Sequence, residues 1–547
     1  MISRGMGGLV VKASHLSNYR LALILVLACL LLAAGCQGGS AKSLKNATAK
    51  QGEKAGDPVT LKVMFFGSEP ADMDKILAEF ERLTKDTLHI KLDISWDMAD
   101  TYNQKMKLKM AAGEQIDMLF DASWMNLEQN IGQGYYQPLD DYFQNEKYPG
   151  LKQAFPQAVL DANRINGRLY TIPLMSNYAD FGTIFIRKDL REKYGLPQIQ
   201  NMEQFKVFLE KVEQNNPEII PFGIGNRGFF DMFYNFNDKQ TRFRAVPHVI
   251  YGTGVEFNLV LSDDGKHVLG ATTIGDPDAD YAKLPAPFNQ SDYFYSHNDK
   301  RVEFSRFIPR DVLSNVEDLV VTGKAAAGEG AISGISKIKQ RLKAAVPEAD
   351  LEVFVYNDAA RTMQPKAIGT SYKAWNNIVI PIFSRHKEES MKFINWLYES
   401  EANHDLFELG IEGLHWNQKG DHMYEMTPYA KDYLFPAYEL TLNPLLSRLN
   451  ADHDEQTLQY LQYQASEDSY YRVALSGFTF NPEPVKIEIA KVQPRYDAFN
   501  LITQAGLEPN WREEGSKLNA ELRRLGLEKI RAEFIKQVQA YIDSGGH

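Results

Sequence analysis

Cysteine is almost absent from this 547-residue chain, which contains only Cys29 and Cys36. Both lie near the N-terminus, so the long remainder of the chain has no thiol. That excludes disulfide bonds within the remainder, a cysteine nucleophile and cysteine-rich zinc sites. The signatures H-E-x-x-H and G-x-S-x-G are also missing, so neither a zinc-peptidase helix nor a nucleophile elbow is indicated.

The chain also has too little positive charge to attract nucleic acid in general. Its 60 lysines and arginines are outnumbered by 71 aspartates and glutamates, for a formal net charge of −11. No nucleic-acid partner is therefore expected. Hydrophobic residues make up 44% of the sequence and charged residues 24%, which is typical of globular proteins. At about 150 residues per domain, the length predicts two to four domains.

An apolar run covers residues 21–32 and follows three basic residues, Arg4, Lys12 and Arg20. The run is shorter than the about 20 residues that a membrane-spanning helix needs. Small residues and Cys36 end it, at the place where an export signal would be cleaved. We predict a cleaved signal peptide over residues 1–35, and a signal anchor that stays uncut is the alternative.

The residues around this cleavage point, Leu32-Ala33-Ala34-Gly35-Cys36, resemble a bacterial lipobox. In such signals the cysteine receives a diacylglyceryl group and becomes the first mature residue. The resemblance implies lipidation of Cys36, which would anchor the protein to the cell membrane on its extracellular side without crossing it. Residues 36–58 are rich in Gly, Ala, Lys and Ser and are predicted to form a flexible tether.

From residue 59 onward, short apolar segments alternate with segments of helical periodicity. Predicted strands cover residues 61–66, 89–94, 116–120, 183–186, 219–223, 353–356 and 378–380. Predicted helices cover residues 72–83, 102–112, 202–214, 311–322 and 387–399. Strands that alternate with helices of this length indicate parallel sheets covered on both faces, and hence an α/β fold.

Two regions depart from this alternation. Residues 236–300 are acidic and rich in loop-forming residues, and are interpreted as an insertion or a capping hairpin. Residues 485–500 and 517–542 carry apolar positions at helical spacing, which predicts an appended C-terminal helical module. Isolated helices of this length are marginal in water, so their apolar stripe is expected to pack on one lobe of the main body and leave the mouth of the cleft open, and a freely tethered module is the alternative.

Five short motifs follow one another along the chain. They are residues 110–118 (MAAGEQIDM), 134–142 (GYYQPLDDY), 165–174 (INGRLYTIPL), 185–197 (FIRKDLREKYGLP) and 410–416 (GIEGLHW). In this order they resemble the family 1 extracellular solute-binding lipoproteins of carbohydrate ABC importers. Residues 478–490 are similar to the start of an uncharacterised C-terminal module in a Gram-positive subgroup of that family.

The resemblance implies a periplasmic-binding-protein-like fold, in which two discontinuous α/β lobes are joined by a hinge. Lobe 1 is expected over residues 59–180 and 373–440, lobe 2 over 181–372 and 441–477, and the C-terminal helical module over 478–547. The function implied is that of a monomer that captures an oligosaccharide between the lobes and delivers it to an ABC permease, with no cofactor and no metal. Capture of a peptide or other non-sugar solute, and sensing of cell-wall glycan without transport, are the alternatives.

Two local motifs are typical of sites for other ligands, and a glycoside hydrolase is the enzyme alternative. Residues 223–228 match G-x-G-x-x-G after a predicted strand, but a strand-end loop facing the cleft is favoured over a dinucleotide site. Residues 276–280 begin like a calcium loop but lack the later glycine and glutamate, so a solvated acidic loop is favoured. A glycoside hydrolase would need two carboxylates across a sugar bond, and with 71 acidic residues such pairs carry no information.

Aromatic and polar residues at the ends of predicted elements are the candidate ligand contacts: most follow a strand, Trp375 and Asn376 start the strand that returns to lobe 1, and residues 412–416 end a helix-rich block. Sugar rings stack on flat side chains, and their hydroxyl groups form hydrogen bonds with carboxylates and amides. Ligand sites in α/β sheets lie at the carboxyl ends of strands. The candidates are Glu69, Asp121, Trp124, Tyr178, Asp180, Phe230, Tyr234, Trp375, Asn376, Glu412, His415 and Trp416. For each aromatic side chain, packing in the core is the alternative.

Overall fold

The computed structural model describes residues 58–225, 228–229, 232–234, 242–249, 252–309 and 316–546. The predicted signal peptide, Cys36 and nearly all of the predicted tether lie outside these residues. The strands are β1 (Val59–Phe66), β2 (Ile90–Asp97), β3 (Met118–Ala122), β4 (Thr171–Leu174), β5 (Thr183–Arg187), β6 (Ala245–Val249), β7 (Phe257–Leu261), β8 (Val268–Thr272), β9 (Ala327–Glu329), β10 (Leu351–Val355), β11 (Ile368–Thr370), β12 (Asn376–Val379), β13 (Trp416–Gln418), β14 (Met423–Met426), β15 (Leu449–Asn450) and β16 (Tyr470–Arg472).

Helices separate most of these strands. They are α1 (Met73–Thr84), α2 (Ala99–Ala112), α3 (Leu127–Gly132), α4 (Pro149–Ala154), α5 (Gln157–Ala162), α6 (Lys188–Lys193), α7 (Met202–Asn215), α8 (Asp278–Tyr281), α9 (Ser291–Tyr295), α10 (His297–Phe304), α11 (Val316–Val321), α12 (Ile335–Ala345), α13 (Asp358–Arg361), α14 (Lys387–Leu397), α15 (Glu401–Glu408), α16 (Glu455–Ala465), α17 (Lys486–Gln504), α18 (Trp511–Leu525) and α19 (Leu527–Asp543). Among the described residues, no helix combines the length and the apolar character needed to cross a membrane.

The first sheet has five strands in the order β2-β1-β3-β12-β4. β1 runs parallel to β2 and β3, whereas β12 is antiparallel to β3 and β4. Helices cover the sheet, and the shared core contains buried residues from β1 to β4, from β12 and from α14 and α15. This core also includes Leu446, which lies beyond the predicted end of lobe 1 at residue 440.

The second sheet is smaller and has the order β10-β5-β9, with β5 antiparallel to both neighbours. β5 is buried along its whole length, because helices or loops cover both of its faces. Nearby, β11 pairs with β16 in a two-stranded parallel sheet. Three further short strands, β13, β14 and β15, form a separate sheet.

A separate hydrophobic core, which we call the third core, is built from two distant parts of the sequence. Strands β6, β7 and β8 form an antiparallel sheet inside the region interpreted as a loop-rich insertion. Their apolar side chains pack with those of α17, α18 and α19, and Phe257 stacks on Phe534 with ring centroids 5.4 Å apart. The buried stripe of the C-terminal helices is therefore confirmed, and it packs on this insertion.

The interpretation of residues 236–300 as loop-rich was wrong for its described part. β7 is buried at all five positions, so its sequence lacks the polar-apolar alternation that identifies a half-exposed strand. The single long helix predicted over 517–542 is also wrong. Gly526 has φ +118°, a left-handed value that ends α18 before α19 begins.

The strand predicted over residues 219–223 is reduced to two isolated bridges, Ile220 to Ala325 and Gly223 to Gly328. Pro221 lies between them and has no N–H to donate to a ladder. The other predicted strands are present, with ends that differ by a few residues.

Candidate functional site

The first sheet contains one point at which the order of its strands reverses. The chain passes from β1 to β2 on one side and then crosses to β3 on the other side of β1. The connections after β1 and β3 therefore diverge and leave a crevice beyond the carboxyl ends of these two strands. Ligands of open α/β sheets bind at such a reversal.

Both connections between the two main sheets run along this same edge. β4 ends at Leu174, and the next strand, β5, begins at Thr183 in the second sheet. The chain returns through residues 371–375, between β11 and the start of β12 at Asn376. Because the two connecting segments are short, they hold this edge of the first sheet next to the edge of the second sheet where β5 begins. The space between the two edges is the candidate cleft.

Aromatic rings gather at the crevice beyond β1 and β3. The ring of Phe66, the last residue of β1, lies 6.2 Å from Phe120, 6.3 Å from Trp124 and 6.0 Å from Tyr438, measured between centroids. We call these four residues the aromatic platform. Trp124 keeps 52% of its surface exposed, so one member of the platform is open to a ligand.

The return segment completes this site. The side chain of Trp375 is 70% exposed, and its backbone carbonyl accepts a hydrogen bond from the Ser123 N–H at 3.1 Å. Trp124 Nε1 donates to Asn376 Oδ1 at 3.0 Å. Three of the residues singled out in the sequence therefore lie together, and two of them are exposed tryptophans. Exposed tryptophans on adjacent segments are typical of a stacking surface.

A buried acid lies beneath the aromatic platform. Glu439 belongs to a 3-10 helix, Ala437–Glu439, and its side chain is fully buried. Its Oε2 accepts the backbone N–H of Phe66 at 3.1 Å. Burial raises the pKa of this carboxyl to about 9, so Glu439 carries its proton at neutral pH. Sequence reasoning missed Phe66, Tyr438 and Glu439, because the last two lie in an irregular segment far along the chain.

The facing edge of the second lobe offers a smaller polar group. Tyr356 Oη donates to Glu329 Oε1 at 3.2 Å, and these residues lie at the carboxyl ends of β10 and β9. Gly182 lies against the Tyr356 ring, where an added Cβ would be 1.6 Å from the ring. Only glycine fits there, so the position of Tyr356 depends on Gly182. None of these three residues was predicted from the sequence.

Asp121 lies in the interior of the first lobe. Its Oδ2 accepts hydrogen bonds from Tyr136 Oη at 2.5 Å and Asn130 Nδ2 at 2.9 Å, and its Oδ1 accepts the Ala122 N–H at 2.8 Å. Burial raises the pKa of this carboxyl, although these donors partly offset the shift. A carboxyl so enclosed holds the loop after β3 in place, and its burial argues against direct contact with a ligand.

Tyr178 belongs to the hinge. Its buried ring contacts the rings of Tyr372 and Tyr470, with centroids 5.3 Å and 5.4 Å away. Burial raises the pKa of its hydroxyl to about 12. The Thr370 hydroxyl donates to the Tyr178 carbonyl, so the two connecting segments are bonded to each other here. The Tyr178 side chain is thus packed between the connecting segments, and its burial argues against direct contact with a ligand.

His415 and Trp416 are also buried. His415 Nε2 lies 3.1 Å from Asp72 Oδ2, and its Nδ1 accepts the Ile411 N–H at 3.0 Å. Trp416 Nε1 donates to the Gly410 carbonyl at 2.9 Å. These contacts fix the turn before β13, and burial argues against a ligand contact at either side chain.

The remaining candidates are spread around the fold. Glu69 is exposed just beyond β1, near the aromatic platform in sequence, and Glu412 is exposed on the turn before β13. Asp180 is exposed in the first connecting segment and accepts hydrogen bonds from Asn177 and Gln464. Tyr234 packs on the ring of His297, 4.3 Å away. Phe230 lies outside the described residues.

The two motifs with alternative ligands have structural explanations. Asp276 is buried and bonded to Arg523 and Arg531, at 2.6 Å and 2.8 Å, so the prediction of a solvated loop is wrong at this residue. Within the glycine motif, Gly228 lies against the end of α17, where an added Cβ would be 2.4 Å from the Gln504 carbonyl oxygen. Residues 226 and 227 of that motif lie outside the described residues.

Comparison with protein families supports the fold derived above. Residues 67–404 match the sequence profile described as "Bacterial extracellular solute-binding protein". The chain belongs to this family. Residues 474–543 match a second profile, described as a domain of unknown function, DUF3502.

This solute-binding protein has relatives of similar length. A "Carbohydrate ABC transporter substrate-binding protein" of Streptococcus pneumoniae is 21% identical over 463 residues, covering 84% of this chain and 86% of the relative. The crystal structure of an N-glycan transport solute-binding protein, NgtS, from the same species is similar with a TM-score of 0.68, 19% identity and coverage of 89% of this chain and 100% of that chain.

A structure of NgtS in complex with Man5GlcNAc matches with a TM-score of 0.59 and 19% identity, covering 89% of this chain and 100% of that chain. A solute-binding protein from Bifidobacterium longum infantis, described as binding HMO, matches with a TM-score of 0.54 and 16% identity, covering 90% of this chain and 99% of that chain. These similarities confirm the predicted periplasmic-binding-protein-like fold.

Proposed function

We propose that this solute-binding protein captures an oligosaccharide at the aromatic platform and delivers it to an ABC permease. The observation that carries the proposal is the pair of exposed tryptophans, Trp124 and Trp375, at the reversal point of the first sheet. Sugar rings present C–H faces that stack on such side chains. The platform therefore suits a ligand built of sugar rings better than it suits a small ion.

The polar groups around the platform are suited to bind the hydroxyl groups of a sugar. Asn376 lies beside Trp124, and Glu69 is exposed just after β1. Amide and carboxylate groups form directional hydrogen bonds with hydroxyl groups. Across the cleft, Glu329 and Tyr356 offer further partners at the edge of the second lobe. Closure of the lobes over a bound glycan would bring both sets of groups onto one ligand, and the closed form is what the permease would recognise.

The relatives support the same class of ligand. One is named as a carbohydrate ABC transporter substrate-binding protein, and NgtS has been crystallised with Man5GlcNAc and with Man1GlcNAc. The similarity covers most of this chain and of each relative. We infer a glycan of several units as the ligand of this chain.

Glycan binding is tested by a thermal-shift screen followed by calorimetry with the best ligand. A ligand at about 100 times its Kd stabilises the folded protein by about 2.7 kcal/mol. Trp124→Ala and Trp375→Ala should each weaken binding about fivefold or more, since loss of a stacking face costs about 1 kcal/mol. Both variants should keep the melting temperature, because the two side chains are exposed.

Trp511→Ala is the matched control, because this tryptophan is buried in the third core. It should lower the melting temperature and leave affinity for the glycan unchanged. Normal glycan binding by both exposed-site variants would refute the proposed site. Binding of peptides but of no glycan would favour the non-sugar alternative.

We also propose that the protein binds its glycan without cleaving it. Glu439, whose carboxyl is bonded to the Phe66 N–H of the platform, is buried, and its raised pKa keeps it neutral. A retaining or inverting glycosidase needs a second carboxylate across the scissile bond. Incubation of the purified protein with its glycan should release no new reducing ends, and their appearance would refute the proposal.

Anchoring of the protein is proposed to depend on Cys36. The family is extracellular, and the lipobox-like residues supply a lipid attachment point followed by a tether of about 20 residues. A lipidated protein stays at the membrane surface, next to the permease that it serves, and this raises the local concentration of loaded protein at the permease.

A further inference from the structure

Two side chains replace the backbone ladder between the carboxyl ends of β1 and β3. The strands pair only at Val63 with Met118 and at Met64 with Leu119. Beyond these pairs, Tyr102 Oη donates to the Phe120 carbonyl at 2.6 Å, and Glu439 Oε2 accepts the Phe66 N–H. The strands separate at the place where the aromatic platform begins.

Of these two side chains, Glu439 is the one with a polar atom that lacks a hydrogen bond. Its Oε1 is buried, and no hydrogen-bond partner for it exists among the described residues. The carboxyl therefore keeps Phe66 in place through a single bond from Oε2. An ionised carboxylate at this position would lack both water and a countercharge, which is costly in a protein interior.

The titratable groups that face Glu439 do not relieve this cost. Tyr102 from α2 and Asp121 from β3 each have a raised pKa because they are buried. Burial and the neighbouring Glu439 raise the pKa of Tyr438, which lies next to it on the same 3-10 helix. All three groups are neutral or negative, so none of them favours ionisation of Glu439.

We propose that the neutral carboxyl of Glu439 is a positioning group of the ligand site, which fixes the Phe66 end of β1 and thereby the geometry of the aromatic platform. The proposal rests on the proposed glycan-binding function. Ionisation would draw water toward the buried Oε1 and displace Phe66, whose N–H is bonded to Oε2 of the same carboxyl. Ligand affinity should therefore fall when Glu439 loses its proton.

The test is the ratio of the glycan Kd at pH 10 to that at pH 7. With the pKa of Glu439 at about 9, only about a tenth of the protein is competent at pH 10, so the ratio should be about ten. In Glu439→Gln the side chain keeps an oxygen for the Phe66 N–H and cannot ionise, so the ratio should be close to one. A ratio of about ten in Glu439→Gln would overturn the proposal.

Glu408→Gln is the matched control. Glu408 is another carboxyl of the first lobe whose pKa is raised by burial, but its neighbours are Ser447 and His404 rather than the platform. This variant should keep the tenfold ratio of the unmodified protein. A Kd ratio close to one in Glu408→Gln would show that the weaker binding at pH 10 comes from the first lobe as a whole. That result would also overturn the proposal.

A readout without ligand separates this proposal from the proposed function. Trp124 contacts Phe66, so its fluorescence should change between pH 8 and pH 10 as the platform rearranges. The Trp124 signal is obtained as the difference between the protein and its Trp124→Phe variant. Absence of this transition would overturn the positioning role even if Glu439→Gln did not fold. A protein that shows the transition but binds no glycan at any pH would refute only the proposed function.

Discussion

Replacement of Asp276 by asparagine should weaken the packing of the C-terminal helices on the insertion sheet. The Asp276 side chain is fully buried in the loop after β8. Its Oδ1 accepts hydrogen bonds from Asn519 at 3.0 Å, from Arg523 at 2.6 Å and from Arg531 at 2.8 Å. One carboxylate thus joins the insertion to both α18 and α19.

The expected loss of stability follows from the arginine charges that would remain in the protein interior. Arg531 has only 10% of its side chain exposed, so its guanidinium would stay buried without its shorter carboxylate contact and would keep only the longer one, to the half-exposed Glu528 at 3.5 Å. Removal of one partner from a buried ion pair costs about 3–5 kcal/mol. Arg523 is more exposed and also contacts Asp280, so it adds little. We expect Asp276→Asn to lower the free energy of unfolding of the third core by about 3 kcal/mol.

Urea unfolding of the full chain measures this effect. Trp511 lies in the third core, so the part of the fluorescence change that is lost in Trp511→Phe reports this core. Asp278→Asn is the matched control, because Asp278 is exposed two residues further along the chain, at the start of α8. A midpoint for Asp276→Asn equal to that of Asp278→Asn would refute the view that this ion pair holds the helices.

Three further outcomes are expected. Cys36→Ala should move the protein from the membrane fraction into the medium, and retention of this variant on membranes at high salt would contradict lipid anchoring. Truncation before Phe478 should expose the apolar side chains of β7, lower the stability and cause aggregation, whereas a soluble truncated chain with an unchanged melting temperature would refute the shared core. Glu439→Gln should become more stable than the unmodified protein as pH rises from about 4.5 to about 9, by about 1.4 kcal/mol per pH unit, because the buried acid is protonated only in the folded state over that interval. Equal stability of these two proteins at pH 5 and pH 8 would contradict the raised pKa.

Local patterns were enough to predict β1, β2, β3 and β12 of the first sheet, but not β4. β1 and β3 are short, mostly apolar segments between segments of helical periodicity, and both lie in the sheet as expected. The strand ends then pointed to Trp124, Trp375 and Asn376, which the structure brings together. The proximity of these residues could be predicted because it needs only the direction of each strand and the residues at its ends, and their contact with a ligand stays a prediction.

The remaining parts of the site depend on contacts between distant segments. Glu439 reaches Phe66 across 373 residues of sequence, and no local pattern identifies that pairing. The burial of Asp121 and His415 could not be predicted from the sequence either. Their residue types suit ligand contacts, but burial depends on how neighbouring helices and turns pack, which the residues after a strand do not reveal.

The third core changes how the C-terminal domain should be understood. The solute-binding profile covers residues 67–404 and the DUF3502 profile covers residues 474–543, yet the core is built from both. Phe257 of the first matched region stacks on Phe534 of the second, and Asp276 bonds to Arg531. A cut between the two regions would divide one core. The C-terminal helices would then expose Leu527, Phe534 and Val538, which are fully buried in the intact chain, and helices of this length are marginal alone. We therefore infer that this domain of unknown function completes an insertion in the second lobe, and that it moves with that lobe when the cleft closes.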